Sequence, residues 1–304
     1  MKRFLDLIKY YSIIRPSCKS IYGKYLIHTL DSEETIHYII KNQCSVARFG
    51  DGEMGIILSD TDIKFQKSSN NLKDALSEVL FSQHPNLLVC LPPFFSQHSN
   101  INISRKAQRY WDFWAYDHLK NLYNLLSQKN VSGQKKWGDT LISRPYIDWK
   151  NKKEHADKTF SLLKKIWNNK NILILEGDQT RMGVGNDLFS NAKSIRRILA
   201  PATNAFDKRQ EIINTVQKHY TGELILMALG PTATVLALDF AKCGIQAIDI
   251  GHVDIEYCWY LQNVSSKKII EGKYTNEVRS GNLDIPPCTD EKYLSEIVDS
   301  VITL

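Results

Sequence analysis

The chain has 304 residues, of which 43% are hydrophobic, so it is long enough to bury a substantial core. Its formal charge of +6 comes from basic residues interspersed with acidic ones, which argues against a nucleic-acid-binding protein. No apolar run is long enough to span a bilayer, and charged residues interrupt the apolar stretch after Met1, so a signal peptide is not expected. A basic cleft for an anionic small molecule, or weak attraction to an anionic membrane face, is compatible with this charge.

The cysteines are scattered and include no CxxC pair, so neither a zinc site nor a disulfide framework is indicated. Several lie inside apolar runs, where a thiol behaves as a small hydrophobic group. A cytoplasmic protein is therefore expected, attached at most peripherally to the inner face of a membrane. The six cysteines are Cys18, Cys44, Cys90, Cys243, Cys258 and Cys288.

Predicted helices and strands alternate along the chain. Strand-like apolar runs are Ser45–Phe49, Leu87–Leu91, Ile172–Leu175, Glu223–Leu229 and Gln246–Ile250. Helices are predicted up to Arg15, over 72–80, 111–126 and 160–167, from a capping box at Asp207 and Gln210 to Tyr220, and from Asp290 onward. The polar stretch Ser127–Asn151, which contains Gly133, is predicted to be a surface insertion. The alternation predicts an α/β fold, a Rossmann-like, mostly parallel sheet with helices on both faces, in a single domain with helical additions at both ends.

The segment RFGDGE, residues 48–53, directly follows the first predicted strand. If it is extended, the side chains of Asp51 and Glu53 project to the same side, and Gly52 between them leaves room for a ligand. Open α/β sheets bind ligands at the carboxyl ends of their strands, and carboxylate oxygens suit Mg²⁺ or Mn²⁺. Asp51 and Glu53 are therefore candidate metal ligands, and an ordinary surface turn is the alternative.

Residues 176–204 combine Gly183 and Gly185 with several basic side chains after a predicted strand. A glycine-containing loop that leads into a helix can present N–H groups to phosphate, whose charge nearby basic residues neutralise. The spacing matches neither a Walker loop nor the dinucleotide fingerprint, and glycines needed for a positive φ are an equally good interpretation. The candidate donor-binding residues of this stretch are Arg181, Asn186, Lys193 and Arg197.

A strand–turn–helix unit follows, with its turn at residues 230–234. Pro231 suits the first position of a helix, and Gly244 suits the end of that helix. Free N–H groups at a helix start favour an anion, although any α/β protein needs such connections. The candidate anion-binding residues are Gly230, Pro231, Thr232 and Thr234.

Ionisable residues lie just beyond the last predicted strand, in the sequence DIGHVDIEY from Asp249 to Tyr257. If this segment is extended, His252, Asp254 and Glu256 share one face. They offer a general base, a further metal ligand and an acceptor for a sugar hydroxyl, and the sequence does not assign these roles. An amphipathic edge strand with a solvated polar face is the alternative.

Together these motifs resemble the GT-D-type glycosyltransferases, a family long known only as a domain of unknown function. The resemblance runs from about Ile36 to Glu277 and implies a Rossmann-like core and a DxE metal motif, to which Asp51 and Glu53 correspond. It implies a transferase domain at 36–280, between a helical extension at 1–35 and a helical tail at 281–304. The motifs are ARFGDGE, EGD…RMGVGNDLF, ALGPTATVLALD and AIDIGHVDIEYCW, with GDTLISRPYID and GKYTNE.

The resemblance also implies the substrates. A UDP-sugar is the expected donor, with glucose or galactose as the hexose, and Mn²⁺ or Mg²⁺ is the expected cofactor. The expected acceptor is a glycan or glycoprotein of the bacterial surface, other glycosyltransferases at the inner membrane face are further expected partners, and no nucleic acid is expected. Arg48, Gly52 and Asp249 are also expected to line the donor site.

On this hypothesis the cation joins the carboxylates of Asp51 and Glu53 to the donor diphosphate, and His252, Asp254 or Glu256 takes the proton of the acceptor hydroxyl. The Asp254/Glu256 pair favours inversion at the anomeric carbon. Two other classes fit the same motifs. A metal-dependent phosphohydrolase or phosphotransferase would turn over a nucleotide sugar regardless of acceptor, and a non-catalytic nucleotide-binding subunit of a glycosylation complex would bind the donor without turnover.

Overall fold

The computed structural model describes residues 2–95, 101–129, 136–281 and 285–302. In these ranges the strands are β1 Ser45–Arg48, β2 Leu87–Leu91, β3 Gly138–Asp139, β4 Asn171–Gly177, β5 Ser194–Ala200, β6 Leu224–Ala228, β7 Ala247–Asp249 and β8 Ile297–Ser300. They form one sheet in the order β3-β2-β1-β7-β6-β4-β5-β8, and neighbouring strands run parallel throughout. The predicted parallel α/β sheet is therefore confirmed.

The helices connect these strands and cover the sheet. They are α1 Lys2–Lys9, α2 Arg15–Lys24, α3 Ser32–Asn42, α4 Asp51–Ser59, α5 Asn70–Phe81, α6 Arg105–Gln128, α7 Lys152–Trp167, α8 Arg209–His219, α9 Pro231–Lys242, α10 Val253–Leu261 and α11 Glu291–Glu296. A π-helical turn at Tyr10–Ile14 joins α1 to α2, and 3₁₀ turns lie at Pro93–Phe95, Thr140–Ser143 and Ala205–Lys208. Among the described residues, no helix combines the length and the apolar character needed to cross a bilayer.

Successive residues of the strands enter two separate hydrophobic cores. In β4, Ile172 and Ile174 belong to the core formed with α3, α7 and α10, whereas Leu173 and Leu175 belong to the core formed with α5, α6, α8 and α9. Side chains of a strand alternate between its faces, so helices cover both faces of the sheet, as predicted. The strands are mostly apolar because both faces are buried, and the charges among them, such as Arg48, Arg197 and Asp249, are paired.

The predicted strand–turn–helix unit is confirmed. β6 ends at Ala228, α9 begins at Pro231, and Gly244 follows the helix with a φ of +72°. Four of the six cysteines are buried, as expected for thiols that lie in apolar runs.

The helix expected after the glycine-containing loop is instead β5. Two adjacent arginines in SIRRILA hide the strand pattern, yet Arg197 is buried because Glu176 and Glu296 each pair with its guanidinium at 2.7 Å. A charge can occupy a buried strand when it is paired and hydrogen-bonded. The carboxylates lie 21 and 99 residues away along the chain, so the local pattern could not reveal this pairing.

Three further segments differ from the prediction. The C-terminal segment holds the short α11 and then β8, which pairs with β5, so it extends the sheet. Asp207 lies in a 3₁₀ turn and α8 begins at Arg209 without a side-chain cap, so the predicted capping box is wrong. Residues 136–151 are not a surface insertion, because Trp137 and Tyr146 are fully buried; Gly133 lies outside the described residues. The domain boundaries stay predictions.

The order of the strands creates a crevice at the carboxyl edge of the sheet. From β1 the chain continues to β2 on one side, whereas after β7 it continues to β8 at the far edge on the other side. Neighbouring strands whose connections diverge in this way mark the usual ligand site of an open parallel sheet. The candidate residues at the ends of β1 and β7 lie at this position.

Candidate functional site

Asp51 and Glu53 occupy the first turn of α4. β1 ends at Arg48 and α4 begins at Asp51, so the expectation of an extended segment is wrong. Glu53 is the third helical residue, and its Oε2 accepts a hydrogen bond from the backbone N–H of Gly50 at 2.8 Å, as in a capping box. Carboxylates in a first turn also complement the helix dipole, so part of the role of this pair is structural.

The surroundings of the pair are negatively charged. Asp51 is exposed, and its Oδ2 accepts a hydrogen bond from the hydroxyl of Tyr110 on α6. Burial, with smaller contributions from the carboxylates of Asp249 and Asp51, raises the pKa of Glu53 to about 7. No basic side chain of the described chain forms an ion pair with Asp51 or Glu53. A bound cation would neutralise this concentration of negative charge.

The donor set suits a cation that is shared with a substrate. The described residues contain no cluster of three His, Cys, Asp or Glu side chains that could hold a metal ion by itself. Mg²⁺, however, is commonly held by one or two carboxylates together with substrate phosphates. In the described chain Asp51 and Glu53 each keep one carboxylate oxygen without a hydrogen-bond partner. The two residues therefore fit a metal that the donor diphosphate completes.

Arg48 and Asp249 pair with each other across the crevice. The Arg48 guanidinium donates to the backbone oxygen of Asp249 at 2.9 Å and to its Oδ1 at 2.8 Å, while the Thr234 hydroxyl donates to the backbone oxygen of Arg48 at 3.0 Å. Burial raises the pKa of the Asp249 carboxyl, and Arg48 opposes that rise. A Cβ on Gly251, whose φ is +39°, would lie 2.0 Å from Nη2 of Arg48. These residues join β1 to β7 and do not present free groups to a donor.

The glycine-containing loop binds a carboxylate of this same chain. The backbone N–H of Gly183 and the side-chain amide of Asn186 both donate to Oδ1 of Asp254 at 2.8 Å, and Lys273 pairs with Oδ2 at 2.5 Å. Asp254 is 2% exposed. The groups expected to cradle a phosphate are therefore occupied by Asp254, which fixes this loop to α10.

The basic residues predicted in this stretch do not converge on the crevice. Arg181 donates to the backbone oxygens of Gly272 and Pro286 at 2.8 and 2.5 Å. The guanidinium of Arg197 is occupied by two buried ion pairs. Lys193 is exposed directly before β5, so it lies at the amino edge of the sheet, opposite the crevice. All three were predicted as donor ligands, and their positions do not support that role.

The turn before α9 lies at the crevice but is covered. Thr232 and Thr234 are fully buried, and a Cβ on Gly230, whose φ is +55°, would lie 2.3 Å from Cε2 of Phe65. The Thr232 hydroxyl has no hydrogen-bond partner within the described residues. Phe65 therefore lies against the turn whose N–H groups were expected to receive an anion.

His252, Asp254 and Glu256 do not share one face of a strand, because α10 begins at Val253. Glu256 is fully buried, and its Oε2 accepts hydrogen bonds from the backbone N–H groups of Tyr146 and Ile147 at 2.9 Å. Asp254 and Glu256 therefore hold loops in place, and the argument for inversion that relied on them is lost. His252 alone of the three borders the crevice, with its Nε2 2.7 Å from Oδ1 of Asn276.

The buried position of Glu256 predicts a pH-dependent stability. Burial raises the pKa of Glu256 from 4.5 to about 7, against the opposing charge of Arg144. Because the folded state keeps the proton more tightly, Glu256 destabilises the fold progressively as pH rises from about 4.5 to 7. Glu256→Gln is therefore expected to gain roughly 2–3 kcal/mol relative to the parent between pH 5 and pH 8. Denaturant unfolding at both pH values measures this gain.

Asp187→Asn is a control for which the change in stability with pH has the opposite sign. The Tyr257 hydroxyl and Lys164 lower the pKa of the Asp187 carboxyl, so its stabilising effect is present above the unfolded pKa and disappears as pH falls. Because the pKa of 3.8 in the unfolded chain lies below pH 5, the Asn variant should keep a constant difference from the parent between pH 5 and pH 8, and should approach the parent only as pH falls below about 4. If Glu256→Gln and Asp187→Asn shift in the same direction, the buried, protonated state of Glu256 is wrong.

Four site residues were not singled out from the sequence. Arg144 and Lys267 both pair with the carboxylate of Glu277, and Nε2 of His252 lies 3.2 Å from its Oε1. Despite burial, which raises it, Arg144 and His252 hold the pKa of Glu277 well below its usual range. The charges of Asp51, Arg144 and Glu277 all act on the fourth residue, Tyr110, which places the two clusters side by side. Arg144 and Glu277 lie in the motifs GDTLISRPYID and GKYTNE. These motifs contribute to the family resemblance, but the sequence did not indicate a role for either residue.

Comparison with known proteins identifies the family. A family model described as "Glycosyltransferase GT-D fold" matches residues 46–278, more than half of the chain. The chain belongs to this family. "Glycosyltransferase GlyD" of Streptococcus pneumoniae serotype 4 (strain ATCC BAA-334 / TIGR4) is 36% identical over 91% of this chain and 33% of its own length. "Probable glycosyl transferase Gly" of Streptococcus gordonii is 37% identical over 90% of this chain and 38% of its own length. The chain thus spans little more than a third of these relatives.

Solved structures agree with the GT-D assignment. "A New Glycosyltransferase (DUF1792) from Streptococcus sanguinis" superposes with a TM-score of 0.83 at 37% identity, covering 91% of this chain and 100% of that one. A structure described as "The highly conserved domain of unknown function 1792 has a distinct glycosyltransferase fold" gives 0.81 at 34% identity, covering 93% and 98%. The resemblance, the fold class and the enzyme class expected from the sequence are confirmed. The cofactor and the substrates stay predictions.

Proposed function

We propose that this GT-D chain transfers a hexose, glucose or galactose, from a UDP-sugar to a hydroxyl of a growing bacterial surface glycan, in the cytoplasm, with Mn²⁺ or Mg²⁺ held by Asp51 and Glu53. One observation carries the proposal: two adjacent carboxylates without a basic partner in the described chain lie at the divergence of β1 and β7. The donor and acceptor classes follow from the resemblance. The metal follows from the carboxylate donor set.

Different residues of the chain bind the metal, orient its ligand and share the charge of the donor diphosphate. A bound divalent cation neutralises the negative charge that develops on the departing diphosphate. Asp51 and Glu53 hold that ion, and the Tyr110 hydroxyl fixes the orientation of the Asp51 carboxylate. Lys64 lies in a turn whose Ile63 packs against Gly52, and among the described residues the hydrogen bond of its exposed ammonium is to the Asn276 carbonyl, at 3.1 Å. Lys64 therefore takes over the charge-sharing role first expected of Arg181, Lys193 and Arg197.

His252 is the proposed acceptor base. Its Nε2 faces two oxygen acceptors, the side-chain oxygen of Asn276 and Oε1 of Glu277, so this nitrogen carries the proton. Nδ1 then has a free lone pair, and the described residues provide no partner for it. The Glu277 carboxylate, kept ionised by Arg144, stabilises the imidazolium that forms when Nδ1 takes the proton of the acceptor hydroxyl.

Titration calorimetry with UDP, in the presence and absence of Mn²⁺, tests the metal and the donor together. The parent is expected to bind UDP in a Mn²⁺-dependent manner, and the double variant Asp51→Asn, Glu53→Gln is expected to bind at least about tenfold more weakly, because two anionic ligands are lost. Gln at 53 can still accept from the Gly50 N–H, so the helix start is preserved.

The matched control is the double variant Glu33→Gln, Glu34→Gln. It removes two charges from the first turn of α3, which has the same kind of capping box at Asp31 and Glu34. This control should bind UDP as the parent does. No UDP binding with any metal would remove the donor assignment. Acceptor-independent turnover of the UDP-sugar would favour a phosphohydrolase, and binding without turnover with any acceptor would favour a non-catalytic subunit.

A further inference from the structure

One face of the π-helical turn and α2, residues 10–24, is fixed to the body of the protein, and α1 leads into this turn. Tyr10, Ile14, Cys18 and Tyr22 follow each other at four-residue spacing and are buried against α6. The hydroxyls of Tyr10 and Tyr22 donate to the carboxylate of Asp112 at 2.7 and 3.3 Å, and Asp112 is 2% exposed. This buried polar anchor sets the rotation of the π-helical turn and of α2, whereas the described α1 residues from Leu5 to Lys9 are all exposed.

The exposed surface of α1 and the π-helical turn is rich in apolar side chains. The described residues include eleven exposed large hydrophobic side chains, and five of these lie within nine consecutive positions of this helix pair. Contiguous apolar surface of this kind marks a place where a soluble protein contacts another phase or partner. The five residues are Leu5, Leu7, Ile8, Tyr11 and Ile13, with exposed fractions of 57, 36, 50, 57 and 48%.

The same segment carries a local excess of positive charge. Residues 1–25 contain six basic residues and one acidic residue, a net charge of +5, against +6 for all 304 residues. In the described residues, Lys9, Arg15, Lys19 and Lys24 are exposed and form no ion pair with a carboxylate. Exposed apolar side chains on a helix with a basic polar face are the pattern of a helix that lies in the headgroup region of an anionic membrane.

We propose that the outward face of residues 2–24 docks the protein on an anionic lipid surface. The apolar side chains enter the boundary between headgroups and acyl chains, while the lysine and arginine stems extend so that their charged ends meet lipid phosphates. Charge complementarity selects this occupant over a second copy of the chain, because two such faces would bring their basic residues together.

The proposed docking face lies beside the candidate site. On α6, the Tyr110 hydroxyl contacts Asp51, and the Phe113 ring, about one helical turn away, stacks on Tyr10 with 5.9 Å between centroids. The docked helices would thus hold the carboxylate pair close to the membrane. If the proposed transferase function is correct, an acceptor glycan anchored in that membrane would reach the site from this side.

Vesicle co-sedimentation of the full chain tests the docking. The vesicles are phosphatidylcholine alone, or phosphatidylcholine mixed with anionic phosphatidylglycerol. The parent is expected to bind the anionic vesicles, more weakly as salt is added, and to bind the neutral ones far less. The triple variant Leu5→Gln, Ile8→Gln, Tyr11→Gln is expected to lose at least about tenfold in partitioning, because three exposed side chains no longer enter the lipid.

The matched control is Leu261→Gln, Ile269→Gln, Leu294→Gln, which replaces hydrophobic residues of similar exposure, 51, 47 and 47%, outside the basic helix pair. The control should bind as the parent does, and both triple variants should unfold at the temperature of the parent. The docking proposal is overturned if the parent does not bind anionic vesicles, if the first triple variant binds undiminished, or if neutral vesicles bind equally. It is also overturned if sedimentation velocity shows that the face joins two copies of the chain. These readouts are independent of UDP binding.

Discussion

Replacing His252 by Ala is expected to lower the rate of sugar transfer by about 10²–10⁴-fold, the usual contribution of a positioned general base. UDP binding should change little, because the carboxylates of Asp51 and Glu53 are untouched. Glu277 remains paired with Arg144 and Lys267, so the fold should be retained. The rate is measured as UDP released from UDP-glucose and UDP-galactose with a panel of glycan acceptors, and UDP affinity is measured by calorimetry.

Two controls separate a base from a structural residue. Glu256→Gln preserves the acceptor oxygen that binds the backbone N–H groups of Tyr146 and Ile147, and it should transfer sugar at nearly the parental rate. Added imidazole should restore part of the activity of His252→Ala, because the small base can occupy the space vacated by the side chain. Loss of transfer in Glu256→Gln, together with an unaffected His252→Ala, would contradict the assignment and return Glu256 to the role of base.

Replacing Arg48 by Ala is expected to reduce the free energy of unfolding by about 3–5 kcal/mol, the usual cost of leaving a buried charge unpaired. Asp249 is 2% exposed, and without Arg48 its carboxylate retains only the Thr234 hydroxyl and the N–H of Gly251. Denaturant unfolding followed by tryptophan fluorescence measures the loss. UDP affinity should fall as well, because Arg48 and Asp249 hold the crevice together.

The control is Lys73→Ala, which removes an ion pair of similar length at the surface. Lys73 and Asp60 are 2.7 Å apart but well exposed, so their separation should cost at most about 1 kcal/mol. Gly251→Ala should resemble Arg48→Ala, since a Cβ there would displace the guanidinium. If Arg48→Ala costs no more than Lys73→Ala, the buried pair does not hold β1 to β7.

Local pattern predicted those strands that are apolar on both faces. β1, β2, β4, β6 and β7 each appeared as a mainly apolar run, because helices bury them from both sides, and the isolated charges Arg48, Glu176 and Asp249 did not hide the pattern. β3 has only two residues, and β5 and β8 carry charges whose partners lie in other elements. The sequence could not show that Arg197 meets Glu296, so β5 and the edge strand β8 were missed.

The site was predicted in position more than in detail. Asp51, Glu53 and His252 do lie at the carboxyl edge, where strand-end reasoning put them. Asp254 and Glu256 were expected beside them. The segment is a helix, however, so the Asp254 carboxylate points inward although only Val253 separates it from His252. An alternating strand pattern would have placed both side chains on the same face. Arg144 and Glu277, 133 residues apart, meet only in the folded chain, so their pairing was invisible in the two motifs.

The pairing of β1 with β7 also affects how the chain can be made. Arg48 and Asp249 are 201 residues apart, and Val46 pairs with Ile248 in the middle of the sheet. During synthesis the first strand and the acidic helix start after it must therefore remain without their neighbour until residue 249 has left the ribosome. Contacts between such distant segments form slowly, because a long loop must close first. Assembly of the crevice is thus a late event in folding, and a nascent chain that ends before β7 carries Asp51 and Glu53 without the rest of the candidate site.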